Sequence, residues 1–270
     1  MLELSDKDFQ RLYTYIKKYY GIDLSKKKQL IIGRLSNTLI SKGYQDFSAY
    51  VDEILSGRDP EMVTAMLNKV TTNYTYFLRE EEHFKYLQNT VLPYLAEIHK
   101  RDKVLSIWSA GCSSGEEPYT ISMYLKEFFG AQAGSWDTRI LATDISQHIL
   151  DRAKTAAYPE ESLKNLPAVW KQKYFISNSD GDYKVAPVIR DNVIFRTFNL
   201  MDQIQFRKKF DLIFCRNVMI YFDQPTKDAL VQRFYQATQP GGYLFIGHSE
   251  SLSKTECPYR YIMPAIYRKV

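Results

Sequence analysis

The stretch "VLSIWSAGCSSGEEPYTISMYL" (104–125) places two adjacent carboxylates, Glu116 and Glu117, between a turn of small residues and Pro118. An apolar run gives way there to a helical pattern. In an open parallel sheet, ligands bind outside the carboxyl ends of strands, where the N–H groups of the next helix start point outward. Gly111 and Gly115 let the backbone come close to a ligand, and Pro118 suits a first helical turn. The spacing differs from the G-x-G-x-x-G of dinucleotide sites. Two acids in this place repel a pyrophosphate and attract an ammonium or sulfonium. The same residues also read as capping boxes, Ser113 with Glu116 and Ser114 with Glu117, in which the acids serve the helix alone.

Further polar residues fall at neighbouring strand ends. "LATDIS" ends on Asp144, suited to ribose hydroxyls, although Asp144 or Ser146 could equally cap the next helix. "FNL" adds Asn199, and "CRNVMIYF" adds Arg216 and Asn217. Such a rim suits a phosphate-free nucleoside with a cation and an amino-acid end, and S-adenosylmethionine is such a molecule. His248 in "GHSES" has the form of a base but reads as a structural strand-end histidine.

The elements that must position these residues fall into two textures. Residues 1–95 read as helical, with Ser5 as a cap, apolar positions Phe9, Leu12, Ile16, Leu35 and Leu39, and stops at Gly21 and Gly43. After Lys103, apolar runs alternate with helical patterns, which implies a parallel sheet covered on both faces. "YRYIMPAIYRKV" reads as a closing hairpin, and "SDGD" as the turn of a small inserted one, about 172–192. The expected division is a helical domain over 1–70, a linker or lid over 71–95 with a helix from Phe77 to Tyr94, and an α/β domain over 96–270.

Composition restricts the class of protein. The 270 residues are 45% hydrophobic and 25% charged, without a span-length apolar run or a signal-like start, so the expected compartment is the cytoplasm. Cys112, Cys215 and Cys257 lie far apart without zinc-like pairing, and no metal is expected. Net charge is +5, and residues 1–50 carry nine basic against five acidic side chains. That imbalance suits an acidic partner surface or a solvated helical face.

"VTTNYTYFLRE", "WSAGCSSGEEPYTISM", "ATDIS", "FNL", "FCRNVMIYF" and "GGYLFIGHSES" together resemble the CheR family of chemotaxis receptor methyltransferases, and the resemblance extends over the N-terminal helices. It implies a Rossmann-like class I methyltransferase sheet with an inserted β-hairpin subdomain, preceded by an all-α domain. It also implies transfer of methyl from S-adenosylmethionine to glutamate side chains of the chemoreceptor cytoplasmic helical bundle. By position, Asn73, Thr75 and Arg79 line the methionine end, Glu117 takes the amino group and Asp144 the ribose. Asn199 and Leu200 flank the adenine, Arg216 and Asn217 close the pocket, and Tyr221 faces the methyl group beside Arg79. Arg34, Lys42 and Lys28 are the expected docking residues, although the second helix holds fewer arginines than the family pattern. The short "SNSDGD" loop points to recognition independent of a receptor C-terminal tether. The expected state is a monomer, without membrane insertion or nucleic acid. Two other readings are a module that senses the cofactor without turnover and a methyltransferase acting on nucleic acid.

Overall fold

The computed structural model describes residues 2–71, 74–178 and 181–270. Ser5 opens α1 (Asp6–Tyr20) by accepting the Asp8 N–H, and Gly21, at φ +72°, closes it with its N–H on the Lys17 carbonyl. α2 (Lys28–Ser41), α3 (Phe47–Ser56) and α4 (Pro60–Val70) follow, the last two capped by Asp46 and Asp59. Leu12, Ile16, Leu35 and Leu39, spaced at the helical period, meet Phe47, Val51 and Val63 in a core separate from the sheet's. This is an all-α N-terminal domain.

The next helix starts later than its apolar pattern predicts. Leu78 and Glu80 hold left-handed φ angles of +61° and +58°, which no helix accommodates. α5 (Glu81–Tyr86) therefore begins after them, and it runs through a π turn (Leu87–Val91) into α6 (Leu92–Ile98).

Then come β1 (Ile107–Ala110), α7 (Glu116–Phe129), β2 (Ile140–Asp144) and α8 (Gln147–Thr155). β3 (Ala157–Pro159), α9 (Ala168–Tyr174), β4 (Phe175–Ser177), β5 (Asp182–Val185) and α10 (Pro187–Arg190) form an insertion. The chain ends with β6 (Val193–Thr197), β7 (Phe210–Cys215), α11 (Gln224–Ala237), β8 (Thr238–Ile246), β9 (Arg260–Met263) and β10 (Ile266–Arg268). Among the described residues the main sheet has seven strands in the order β6-β2-β1-β7-β8-β10-β9. The first five are parallel, and the C-terminal hairpin, turning at Pro264, adds the two antiparallel strands. This is the expected Rossmann-like arrangement.

Both faces of the sheet are covered, and the period of two decides which side chain goes where. Ile107, Ile140, Leu212 and Phe245 pack with α5 to α7, whereas Trp108, Ile213 and Leu244 pack with Leu230 and Phe234 of α11. The insertion is a three-stranded antiparallel sheet, β3-β5-β4, rather than a lone hairpin. Its first strand has three residues, too few to show alternation in sequence. Ser179 and Asp180 of the expected turn lie outside the described residues.

The helical domain is docked on the sheet's carboxyl edge. Ile22 forms an antiparallel bridge with Phe222, and the Asp23 N–H donates to the Tyr221 carbonyl at 2.8 Å. Lys17 pairs with Asp223 at 2.7 Å, and the Asn68 amide donates to the Ser146 hydroxyl at 2.8 Å. Gly21 turns the chain into this joint, and a Cβ there would lie 2.6 Å from the Met201 sulfur. Gly21→Ala is expected to lower stability by about 1–2 kcal/mol, mainly through the left-handed φ. A lower urea midpoint at unchanged slope checks it; an unchanged midpoint shows that the joint relaxes freely.

Candidate active site

A cavity of about 330 Å³ opens at the carboxyl ends of β1, β2, β6 and β7. Thr75, Arg79, Glu117, Asp144, Asn199, Leu200, Arg216, Asn217 and Tyr221 all line it. Asn73, expected beside them, lies outside the described residues. The helical domain adds Tyr20, Ile22, Leu67 and Asn68 to the wall, which no sequence pattern announced.

The glutamate pair divides its work, and neither acid caps α7. Gly115, at φ +99°, occupies the N-cap position, and no side chain caps the helix there. Glu116 turns inward and is buried on the Ser114 hydroxyl at 2.8 Å; burial raises its carboxyl above the ordinary range. Glu117 turns toward the cavity. It accepts from the Ser109 hydroxyl at 2.6 Å and from Arg216 Nη1 at 2.9 Å.

Asp144 accepts the N–H of Ser113 and of Ser146, each at 3.0 Å. Ser146 itself caps α8, so Asp144 is left for the cavity. Burial raises its carboxyl, and these backbone donors oppose the shift. Ser113, held at φ +49° beside it, has a buried hydroxyl oxygen with no hydrogen-bond partner among the described residues. An unmatched hydroxyl next to an anchored acid fits a ligand that brings its own hydroxyls. Two acids and no cation on the glycine loop fit a cationic nucleoside better than a phosphate. The residues present thus suit S-adenosylmethionine.

Asn199 has a second task. Its amide donates to the Tyr19 carbonyl at 2.8 Å and its oxygen accepts the Met201 N–H at 3.0 Å, so it fastens the helical domain as well as lining the cavity.

The segment before α5 lies over the opening. Arg79 donates to the Tyr74 carbonyl at 2.6 Å and lies 6.0 Å from the Tyr76 ring centre. Glu80, which no motif singles out, is the segment's anchor. It accepts from Arg216 Nη2 at 3.2 Å, the Asn217 amide at 3.3 Å and the His248 N–H at 3.2 Å. Burial raises the Glu80 carboxyl, but Arg216 and the two other donors bring it below its ordinary value. Glu250 does the same service beneath Asn217, accepting the N–H groups of Asn217 and Ile220 at 3.0 and 3.1 Å. Both acids stand inside "FLRE" and "GHSES"; the signal was an acid adjoining a strand end or a lid, which spacing alone does not separate from a surface charge.

His248 is exposed, and its ring meets that of His83 edge-on at 4.5 Å. With Glu80 they bring three ligand-type atoms within 4.8 Å of one another, but Arg216 already faces the Glu80 carboxylate.

The three expected docking residues differ in setting. Arg34 donates to the carbonyls of Lys69 and Thr71, both at 3.0 Å, closing the end of α4. Lys28 pairs with Asp6 at 2.6 Å, and Lys42 is exposed. No helix among the described residues is long and apolar enough to cross a membrane.

Residues 73–265 match the family described as CheR methyltransferase, SAM binding domain, and residues 7–71 match CheR methyltransferase, all-alpha domain. The chain is 42% identical to the chemotaxis protein methyltransferase of Borreliella burgdorferi over 99% of its own length and 96% of that protein. It is 38% identical to the Escherichia coli chemotaxis protein methyltransferase, over 94% of this chain and 88% of that one. Identity to chemotaxis protein methyltransferase 1 of Pseudomonas aeruginosa is 35%, over 97% of this chain and 96% of that one.

His83 offers a test of how the site is buried. Burial first, and then the Arg216 charge, push its imidazole down to about 3, against the pull of Glu80. Between an unfolded value near 6.5 and that value, the unfolded chain binds one proton more than the folded one, so stability falls as pH falls. His83→Gln removes this dependence. The stability difference between the two proteins is expected to change by about 1.4 kcal/mol per pH unit at most in that window. Parallel urea curves from pH 4 to 7 check it, and a constant difference would sink the idea.

Proposed function

This chain belongs to the CheR methyltransferase family, and we propose that its cavity serves methyl transfer to glutamate carboxylates of chemoreceptor cytoplasmic segments, with the roles set out below. The chain is an S-adenosylmethionine-dependent methyltransferase of chemotaxis. The observation that carries the site assignment is the pair of anchored acids, Glu117 and Asp144, in a cavity covered by the Arg79 segment.

S-adenosylmethionine supplies an electrophilic methyl group. Glu117 holds its amino group and Asp144, with Ser113, its ribose. Leu200 and Asn199 flank the adenine, Arg216 and Asn217 close the far wall, and Thr75 lines the methionine end. The acceptor carboxylate is a nucleophile without help, since a glutamate has an unperturbed pKa of about 4.3. No general base is needed, and none of the cavity residues is given that role. The requirement is orientation and exclusion of water. Arg79 and Tyr221 meet that requirement: both line the cavity, and Arg79 offers the positive charge that an incoming carboxylate seeks.

The acceptor is a helical, acidic segment of a receptor, and the basic surface of residues 1–50 is its docking face. Exposed Lys42, with Lys26 and Lys27, contributes most directly. Arg34 and Lys28 lend their charge while also bonded within the fold. Recognition is independent of a C-terminal tether.

Incubation with tritiated S-adenosylmethionine and a receptor cytoplasmic fragment is expected to leave base-labile label, equally on a fragment shortened at its C-terminus. Label on nucleic acid instead, or cofactor binding without transfer to any receptor, would defeat the assignment. Glu117→Gln is expected to weaken cofactor binding by roughly 10–100-fold, the loss of a charged hydrogen bond. Arg79→Ala is expected to cut kcat by on the order of 100-fold and to weaken cofactor binding less, by about tenfold at most. Calorimetric titration alongside turnover separates the two, and a defect confined to Kd would remove Arg79 from the acceptor side.

A further inference from the structure

Arg216 has one guanidinium and two carboxylates to serve. Nη1 donates to Glu117 at 2.9 Å, while Nη2 donates to Glu80 at 3.2 Å and to the Arg79 carbonyl. The side chains are almost fully buried, at 3% exposure for Arg216 and 12% and 13% for Glu117 and Glu80. A guanidinium next to a single carboxylate prefers the two-pronged fork, with both nitrogens on both oxygens. Here that fork is absent: the second nitrogen is on Glu80 and the Arg79 carbonyl. Glu117 thereby keeps one oxygen for the Ser109 hydroxyl and retains acceptor capacity toward the cavity.

We propose that Glu80 is a positioning residue for cofactor recognition: by sharing the Arg216 guanidinium with Glu117, it leaves Glu117 able to take the cofactor's ammonium. Two carboxylates on one guanidinium leave a negative surplus in a buried place. An ammonium balances that surplus. With Glu80 uncharged, the Arg216 charge faces Glu117 as its one carboxylate, which cancels the negative surplus that selects a cation. Glu80 touches no ligand in this scheme. Its left-handed φ of +58° and its bonds to Asn217 and the His248 N–H fix the direction from which it pulls.

The inference rests on the reading of Glu117 as the ammonium's partner, and the test separates the two. Binding of S-adenosylhomocysteine and of its analogue lacking the amino group is measured calorimetrically on the full chain and on Glu80→Gln. The wild-type chain is expected to prefer the amino-bearing compound by on the order of tenfold or more. In Glu80→Gln that preference is expected to fall to about twofold or less, with the analogue bound nearly as before. A merely structural role for Glu80 weakens both compounds alike, and an unchanged ratio overturns the proposal. If the wild-type chain shows no preference, the reading of Glu117 fails first. Glu80→Asp keeps the charge with a shorter reach and is expected to give an intermediate ratio. Should Glu80→Gln not fold, Glu80→Ala, which also removes the charge, carries the test, and a wild-type ratio in it overturns the proposal.

Discussion

The Arg216 guanidinium is the interaction on which the rest of the site depends. It stands at the end of β7 and reaches two separate parts of the chain: Glu117 at the start of α7, and the segment ahead of α5 through Glu80 and the carbonyl of Arg79. The Phe84 ring centre lies 5.2 Å from its Cζ. Removing a charge of this kind from water costs several kcal/mol, and only close, multiple partners offset that. Arg216 has such partners, and they are drawn from segments more than 90 residues away in sequence. The same cluster that makes the burial tolerable therefore also fixes the cover over the cavity.

A second constraint comes from the helical domain. Its Tyr20, Ile22, Leu67 and Asn68 form part of the cavity wall, so the site is incomplete in the α/β portion alone. The joint combines apolar and polar contacts: the bridge at Ile22 and Phe222 with Ile22 packed on the sheet's core, the Lys17–Asp223 pair, and the amides of Asn68 and Asn199. It adjoins Tyr221, whose carbonyl accepts the Asp23 N–H.

Much of this was legible in the sequence because periodicity and backbone chemistry speak locally. Gly111 and Gly115 marked the loop, both with positive φ, and the apolar runs marked β1, β2, β6, β7 and β8. Asp144 and Glu117 were placed because strand ends in a parallel sheet converge. What escaped was decided by distant contacts. Glu80 and Glu250 look like surface acids until the fold brings N–H donors around them. Asn199 reads as a ligand residue, yet its amide is spent on the Tyr19 carbonyl. Arg34 reads as a docking charge, yet it closes α4. The capping boxes failed for a local reason: with Gly115 left-handed at the N-cap, Ser114 turns to Glu116 and Glu117 faces the cavity.

The placement of charge follows from the chemistry asked of the site. An anionic acceptor has to approach a cavity that already holds Glu117 and Asp144, and the low dielectric of such a place magnifies their repulsion. On the proposed roles, the positive charges set against it are Arg79 and the cofactor's own cation. Arg216 cannot help, because it is committed to Glu117 and Glu80 in the wall. Arg79 sits in the covering segment, with its guanidinium steadied by the Tyr74 carbonyl and its own carbonyl held by Arg216. The residue suited to meet the acceptor is therefore fastened to the group that secures the cofactor's acid. Cover, cofactor recognition and acceptor attraction are joined through one buried side chain, and a disturbance of any of them reaches the other two.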